Sequence, residues 1–228
     1  MLRSGLQPKK IDITALRNHP KTRFYIDMAD RYLESIGYTE HGQRHAEIVS
    51  ATARDILKSL SYPEKDIELA MAAGLLHDIG NMLGRSQHHK MGALLAKEIL
   101  EDLGFELMDI GRVMMAIILH EEDEGAIPDP VAAALLIADK SDVHRSRVRN
   151  PSSLSDDIHD RVNFAATESD LAVEPEKRLI TLSVVIDTRI SQVIEYFEIF
   201  LSRMTACRRA AKVLDCEFQL FINNTRMA

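Results

Sequence analysis

From about residue 20 to 148, apolar positions recur every three or four residues, the period of amphipathic helices. In RFYIDMADRYLESIG, Tyr25, Met28, Ala29, Tyr32 and Leu33 share one stripe, and Gly37 is a terminator. A second helix, from His41 to about Leu60, carries His41, His45, Ile48, Val49, Thr52 and Ile56 on one face, so both histidines are expected to point inward. Pro63 opens a third helix as its first residue and Gly80 ends it. Two more are predicted from His88 to Leu103 and from Glu106 to His120. Another follows the Asp129 N-cap and Pro130, over VAAALLIADKSDVHRSR.

After Pro151 the period changes. RLITLSVVID alternates, with Ile180, Leu182, Val184 and Ile186 on one side, as in a half-buried strand. EPEK is a turn, which makes NFAATESDLAVE its antiparallel partner. A helix from about Ile190 to Leu214 and a last strand, EFQLFIN, complete the chain. The expected fold is mainly α: a helical bundle over residues 1–150, then a small α+β subdomain over 151–228 with an antiparallel sheet of about three strands. The long helix of the second part is expected to pack on its own strands, with a homodimer contact as the alternative.

Composition narrows the class. With 228 residues and 46% hydrophobic content the chain can bury a core without disulfides. The longest apolar runs, VMMAIIL and VAAALLIA, fall far short of the roughly 20 residues that span a bilayer, so no membrane partner is expected. MLRSGLQPKK has no apolar core of the kind a signal peptide carries, and a cytoplasmic location is expected by elimination. Cys207 and Cys216 match neither a redox pair nor a zinc site. A net charge of −7 argues against general nucleic-acid binding.

The candidate chemistry lies in the helical part. Of nine histidines, His41, His45, His77, His88 or His89, and His120 fall at or near predicted helix ends, and Asp78 and Asp139 join them. A lone core histidine is ordinarily a satisfied structural residue. Several imidazoles and carboxylates in one core are different, because each unpaired buried carboxylate costs several kcal/mol and a divalent cation compensates it. Neighbouring helical residues diverge by about 100°, so His77 and Asp78 can share an ion only near a helix end. Spacing alone leaves His41 and His45 open as ligands, and likewise His88 and His89.

The ordered segments EHGQRHAEIV, LLHDIGN, HHKMGALLA, IILHE and LLIADKSDVHRSR resemble the HD-domain superfamily of metal-dependent phosphohydrolases, over about residues 38–147. That resemblance implies His41, His77, Asp78 and Asp139 as ligands of a first metal, Asp78 also bridging, with His88 and His120 completing a second site. His88 is preferred because it stands four residues before Gly92, and His120 is followed by Glu121 and Glu122 where the family often has a doubled histidine. One or two divalent ions are implied. Mixed nitrogen and oxygen donors suit manganese, iron or another first-row dication, and magnesium is allowed.

The expected activity is hydrolysis of a phosphomonoester or phosphodiester in a nucleotide or another small phosphorylated metabolite, by a metal-activated hydroxide. Asp78 and Lys140 are the catalytic candidates. Arg145, Arg147, Arg149 and His144 are read as a phosphate clamp, against the plainer reading of a solvated basic helix end. Asp142, one turn after Asp139, is expected to orient a ligand or Lys140. The alternatives are a guanosine alarmone hydrolase, a di-iron oxygenase on the same ligand cage, and a non-catalytic nucleotide sensor.

Overall fold

A computed structural model describes residues 11–121, 125–149 and 158–227. The helical part comprises α1 (Ile13–Asn18), α2 (Pro20–Ser35), α3 (Gln43–Ser59), α4 (Glu64–Leu76), α5 (His88–Asp102), α6 (Leu107–Ile118) and α7 (Pro130–Ser141). Two of these are central. In α4, nine of thirteen residues are buried, and in α7 nine of twelve, which is why their sequences are apolar nearly all round. Helix α3 packs on both, α6 also contacts both, and α5 lies against α6. Asp129 caps α7 by accepting a bond from the Val131 amide at 2.8 Å and pairs with Arg112 of α6, which ties that helix end to its neighbour.

The C-terminal part runs α8 (Ile158–Ala165), β1 (Ala166–Glu174), β2 (Leu179–Ile186), α9 (Val193–Val213), β3 (Glu217–Ile222) and β4 (Thr225–Arg226). The fold is thus the expected helical bundle followed by a small sheet. The sheet differs from the expected antiparallel one in two ways: it has four strands in the order β1-β2-β3-β4, and β2 pairs parallel with β3. Connectivity is the reason. Helix α9 carries the chain from the end of β2 back to the start of β3, the crossover that parallel neighbours require. Asn163–Ala165, expected in the first strand, close α8 instead.

Helix α9 packs on α7 as well as on β3. Its buried stripe of Tyr196, Phe200, Met204, Cys207 and Ala211 therefore joins the sheet to the bundle, and the buried apolar residues form one cluster from Ile11 to Ile222. No helix among the described residues is long and apolar enough to cross a membrane.

Candidate metal centre

Helix ends converge on one polar spot inside the bundle. Helix α4 stops at Leu76, not at Gly80 as its pattern suggests, and the chain tightens through His77 and Asp78 into a 3-10 turn over Ile79–Leu83. This change of pitch resolves the problem of two adjacent ligands. Asp78 leaves the helical direction at φ −98° and ψ −2°, and its carboxylate comes within 3.2 Å of the His77 Nε2. Gly80 has a tertiary purpose: a Cβ there would stand 1.9 Å from the His88 carbonyl oxygen and 2.4 Å from the Gly92 nitrogen. The glycine pair Gly80 and Gly92 thus lets the turn lie directly on the first turns of α5, which brings His88 to Asp78.

Around this turn the ligand-type atoms form three overlapping groups: His45, His77 and Asp78; His77, His120 and Asp139; and Asp78, His88 and His120. In each group the donor atoms lie within 4.8 Å of one another. His45 Nε2 is 3.2 Å from both His77 Nε2 and Asp139 Oδ1. His88 Nε2 is 3.4 Å from His120 Nε2 and 3.5 Å from Asp78 Oδ1.

The outer nitrogens fix how these rings present themselves. His77 Nδ1 donates to the Gly74 carbonyl at 2.9 Å, His120 Nδ1 to Ile117 at 2.6 Å, and His88 Nδ1 to Arg85 at 3.1 Å. His45 Nδ1 donates to the Asp142 carboxylate at 2.7 Å. Carbonyl and carboxylate oxygens only accept, so each Nδ1 carries a proton and each Nε2 is turned inward. Such outer bonds are what orient histidines that ligate metals. Inward nitrogens at 3.2 and 3.4 Å, mixed with carboxylate oxygens, call for a proton or a cation between them. The donor set therefore fits a divalent ion.

The electrostatics agree. Burial opposes charge on every group here, yet His77 and its neighbours hold Asp78 well below the usual carboxylate range, and Lys140, His45 and His77 do the same for Asp139. Burial disfavours a charged His77, but the Asp78 and Asp139 carboxylates outweigh it and push its pKa up to about 10. Burial and the Lys140 ammonium push His120 down to about 3. In the metal-free site one protonated imidazole thus stands where a cation would otherwise be.

His41 and His45 are placed differently from the sequence expectation. Helix α3 begins at Gln43 with Gly42 as its cap, so His41 lies ahead of the helix and shares no face with His45. His41 lines the cavity beside the cluster, its Nδ1 bonded to the Thr39 carbonyl at 2.7 Å, but it joins none of the three groups. His45, 0% exposed, takes the inner position. His88 faces the cluster, while His89 is buried elsewhere on α5 and belongs to none of the three groups.

The basic run is dispersed rather than gathered. Helix α7 ends at Ser141, and Arg145–Arg147 form a short 3-10 turn whose side chains diverge. Arg145 lies over the Phe164 ring, Arg149 pairs with Asp30, and His144 bonds the Thr167 carbonyl at 3.1 Å. Of the four clamp candidates only Arg147 lines the cavity, buried and donating to the Asp142 and Glu40 carbonyls. Lys140 lines it too, 2.7 Å from the Asp139 carboxylate. Asp142 holds His45 and receives Arg44 at 3.1 Å.

Arg85, Glu121 and Arg203 also line the cavity. Glu121 Oε1 stands 3.2 Å from His88 Nε2 and 3.4 Å from Arg85, a carboxylate where the family motif often has its second histidine. Glu122 lies outside the described residues. Signals for these groups were slight: Glu121 adjoins His120, whereas nothing local marks Arg85 or Arg203.

A helical bundle whose element ends turn imidazoles and carboxylates onto one buried point defines a protein built to hold cations. The HD domain family model matches residues 42–149, which contain every residue of the three groups, and the match supports membership of the HD-domain superfamily. HD domains are in general metal-dependent hydrolases. No curated protein matches the chain.

Proposed function

We propose that the protein is a metal-dependent phosphohydrolase that cleaves a phosphomonoester or phosphodiester in a nucleotide or another small phosphorylated metabolite. The observation that carries this reading is the charge of the cavity. Among the described residues its lining has four carboxylates, Asp78, Glu121, Asp139 and Asp142, and four cations, Arg85, Lys140, Arg147 and Arg203. These balance, so one or two divalent ions on the neutral imidazoles leave a cavity of net positive charge, suited to an anion.

His45, His77, Asp78 and Asp139 would hold a first ion, and the second oxygen of Asp78 with His88 and His120 a second. A divalent ion bound there lowers the pKa of a water toward neutrality and offsets charge on phosphoryl oxygens. Asp142 keeps His45 in its ligating tautomer. Lys140, fixed against Asp139, and Arg147, fixed by two backbone carbonyls, present positive charge that does not have to reorganise as negative charge develops. The enclosed space is about 30 Å³, enough for an ion with its waters, so the rest of a substrate lies at the mouth.

The test is turnover of nitrophenyl phosphate and bis-nitrophenyl phosphate by protein loaded with manganese, iron or magnesium. Metal-dependent release of nitrophenol that disappears in Asp78→Ala is expected. Stoichiometric metal binding with no turnover of either ester would remove the reading.

A further inference from the structure

The residues aligned with the HD domain supply three of the four cations at the cavity: Arg85, Lys140 and Arg147. The fourth, Arg203, comes from α9, the crossover helix between β2 and β3. Its position follows from packing. The buried stripe of α9 seats it on α7, the helix that carries Asp139 and Lys140, and Arg203 immediately precedes Met204 of that stripe. The guanidinium lies over the Phe200 ring at 4.7 Å, and Phe200 is 1% exposed and stacked on Tyr196 at 4.8 Å. A rigid aromatic base of this kind holds the plane of an arginine and lowers the entropy lost when it binds a ligand.

The other three cations are likewise held by the walls. Arg147 donates to two carbonyls, Arg85 to Asn81 and the His88 ring, and Lys140 to Asp139. Without Arg203 the described lining would carry an excess of carboxylate, and the net positive charge of the ion-loaded cavity would be smaller. A flat guanidinium with parallel N–H donors matches two oxygens of one phosphate, a geometry that a lysine does not offer.

We infer that Arg203 is a substrate-binding residue that grips the phosphate of a phosphomonoester dianion at the cavity mouth, and that the C-terminal sheet and helix complete the site by presenting it. The inference rests on the phosphohydrolase reading of the same cavity. A monoester is favoured over a diester because it brings a second negative charge and a further unesterified oxygen to a cavity crowded with cations.

The experiment uses the full chain loaded with manganese, as wild type, Arg203→Met and Arg203→Lys. Inorganic phosphate binding is measured by calorimetry, and kcat and KM for nitrophenyl phosphate and its bis-ester are measured separately. The expected result for Arg203→Met is a roughly tenfold or greater loss of phosphate affinity and a comparable rise in KM for the monoester, against a smaller effect on the diester. Manganese affinity should stay at the wild-type value, which makes the loss specific to the anion, while a small fall in melting temperature is expected from the lost contact with Phe200. Arg203→Lys should fall between the two, and it carries the test through phosphate affinity if the methionine variant does not fold. A folded Arg203→Met with unchanged phosphate affinity overturns the inference, as does a wild type that binds no phosphate. If phosphate binding depends on Arg203 while neither ester is hydrolysed, the phosphohydrolase reading fails and this inference stands. Vigorous hydrolysis indifferent to Arg203→Met leaves the phosphohydrolase reading standing and overturns the role of Arg203.

Discussion

The competition between His41 and His45 for the first ligand position can be decided by three variants. His45 Nε2 stands 3.2 Å from two other donor atoms, whereas His41 belongs to no group of donors and its Nδ1 is spent on the Thr39 carbonyl. The Asp142 carboxylate orients the cluster through His45, at 2.7 Å, and so calibrates the scale. Loss of a partner that orients a ligand costs roughly 10- to 100-fold in metal affinity, or about 1.4 to 2.7 kcal/mol. Asp142→Ala should fall in that range. His45→Ala removes the donor itself and should exceed about 100-fold, while His41→Ala should stay below about tenfold. Manganese dissociation constants from titration against a competing chelator read these values, and melting of the metal-free variants shows whether each remains folded. If His41→Ala abolishes binding and His45→Ala leaves it intact, the placement of the first ligand is wrong.

Gly80→Ala forces a methyl group onto the α5 backbone, where contacts of 1.9 and 2.4 Å have no flexible side chain to yield. The cost should reach or exceed about 3 kcal/mol, the upper end for overpacking, visible as a lower denaturation midpoint together with loss of metal. Because His77 in the metal-free protein has its pKa near 10, it is protonated at pH 7 and must lose that proton to bind an ion. Manganese binding should therefore release about one proton and tighten as pH rises toward 10; calorimetry giving the same heat in buffers of different ionisation enthalpy would contradict it. An ion at about 1,000 times its dissociation constant should stabilise the fold by about 4 kcal/mol, and an unchanged melting temperature would mean that the ion does not prefer the folded state. Phosphate should bind the manganese-loaded protein at least tenfold more tightly than the metal-free one, since a divalent ion adds more positive charge beside the cavity than the His77 proton it displaces; equal affinity in both states would place the anion elsewhere.

Much of this site is legible in the sequence. The order of His77-Asp78, His88, His120 and Asp139 along helices with apolar stripes already implies convergence, because helix ends are where adjacent residues can share a ligand. The placement of His41 on the face of α3 fails for a local reason. Glu40 accepts bonds from the Gly42 amide at 2.7 Å and the His45 amide at 3.4 Å, and this use of a glutamate delays the start of α3 to Gln43. No serine, threonine, asparagine or aspartate marks that boundary. A usable signal is present in the buried stripe of His45, Val49, Ala53 and Ile56, which is complete without His41.

Other differences come from contacts far apart in the chain. Periodicity finds strands but is blind to their direction. The helix between RLITLSVVID and EFQLFIN nevertheless implies a crossover, and with it the parallel pair β2 and β3. The run HRSRVR looks like one basic surface because its arginines alternate. Their fates depend on Phe164, Glu40 and Asp30, none of which is near in sequence. Gly80 is the right residue type for a helix end, yet its requirement is the closeness of α5, a tertiary fact.

A chain of net charge −7 is not thereby unsuited to an anionic substrate. At physiological ionic strength the Debye length is about 8 Å, so charges across the exposed surface are largely screened from the cavity, while the buried groups that line it are not. Among the described residues, the potential met by a phosphate is set by four carboxylates, four cations and whatever ion the imidazoles hold. Placing the cations on separate elements, with Arg85 after the 3-10 turn, Lys140 on α7, Arg147 beyond it and Arg203 on α9, surrounds the cavity instead of stacking like charges along one helix. That arrangement makes the sheet more than an appendage: its crossover helix both closes the apolar core over α7 and carries the fourth cation to the cavity, so the same packing that stabilises the C-terminal part also sets the charge of the site.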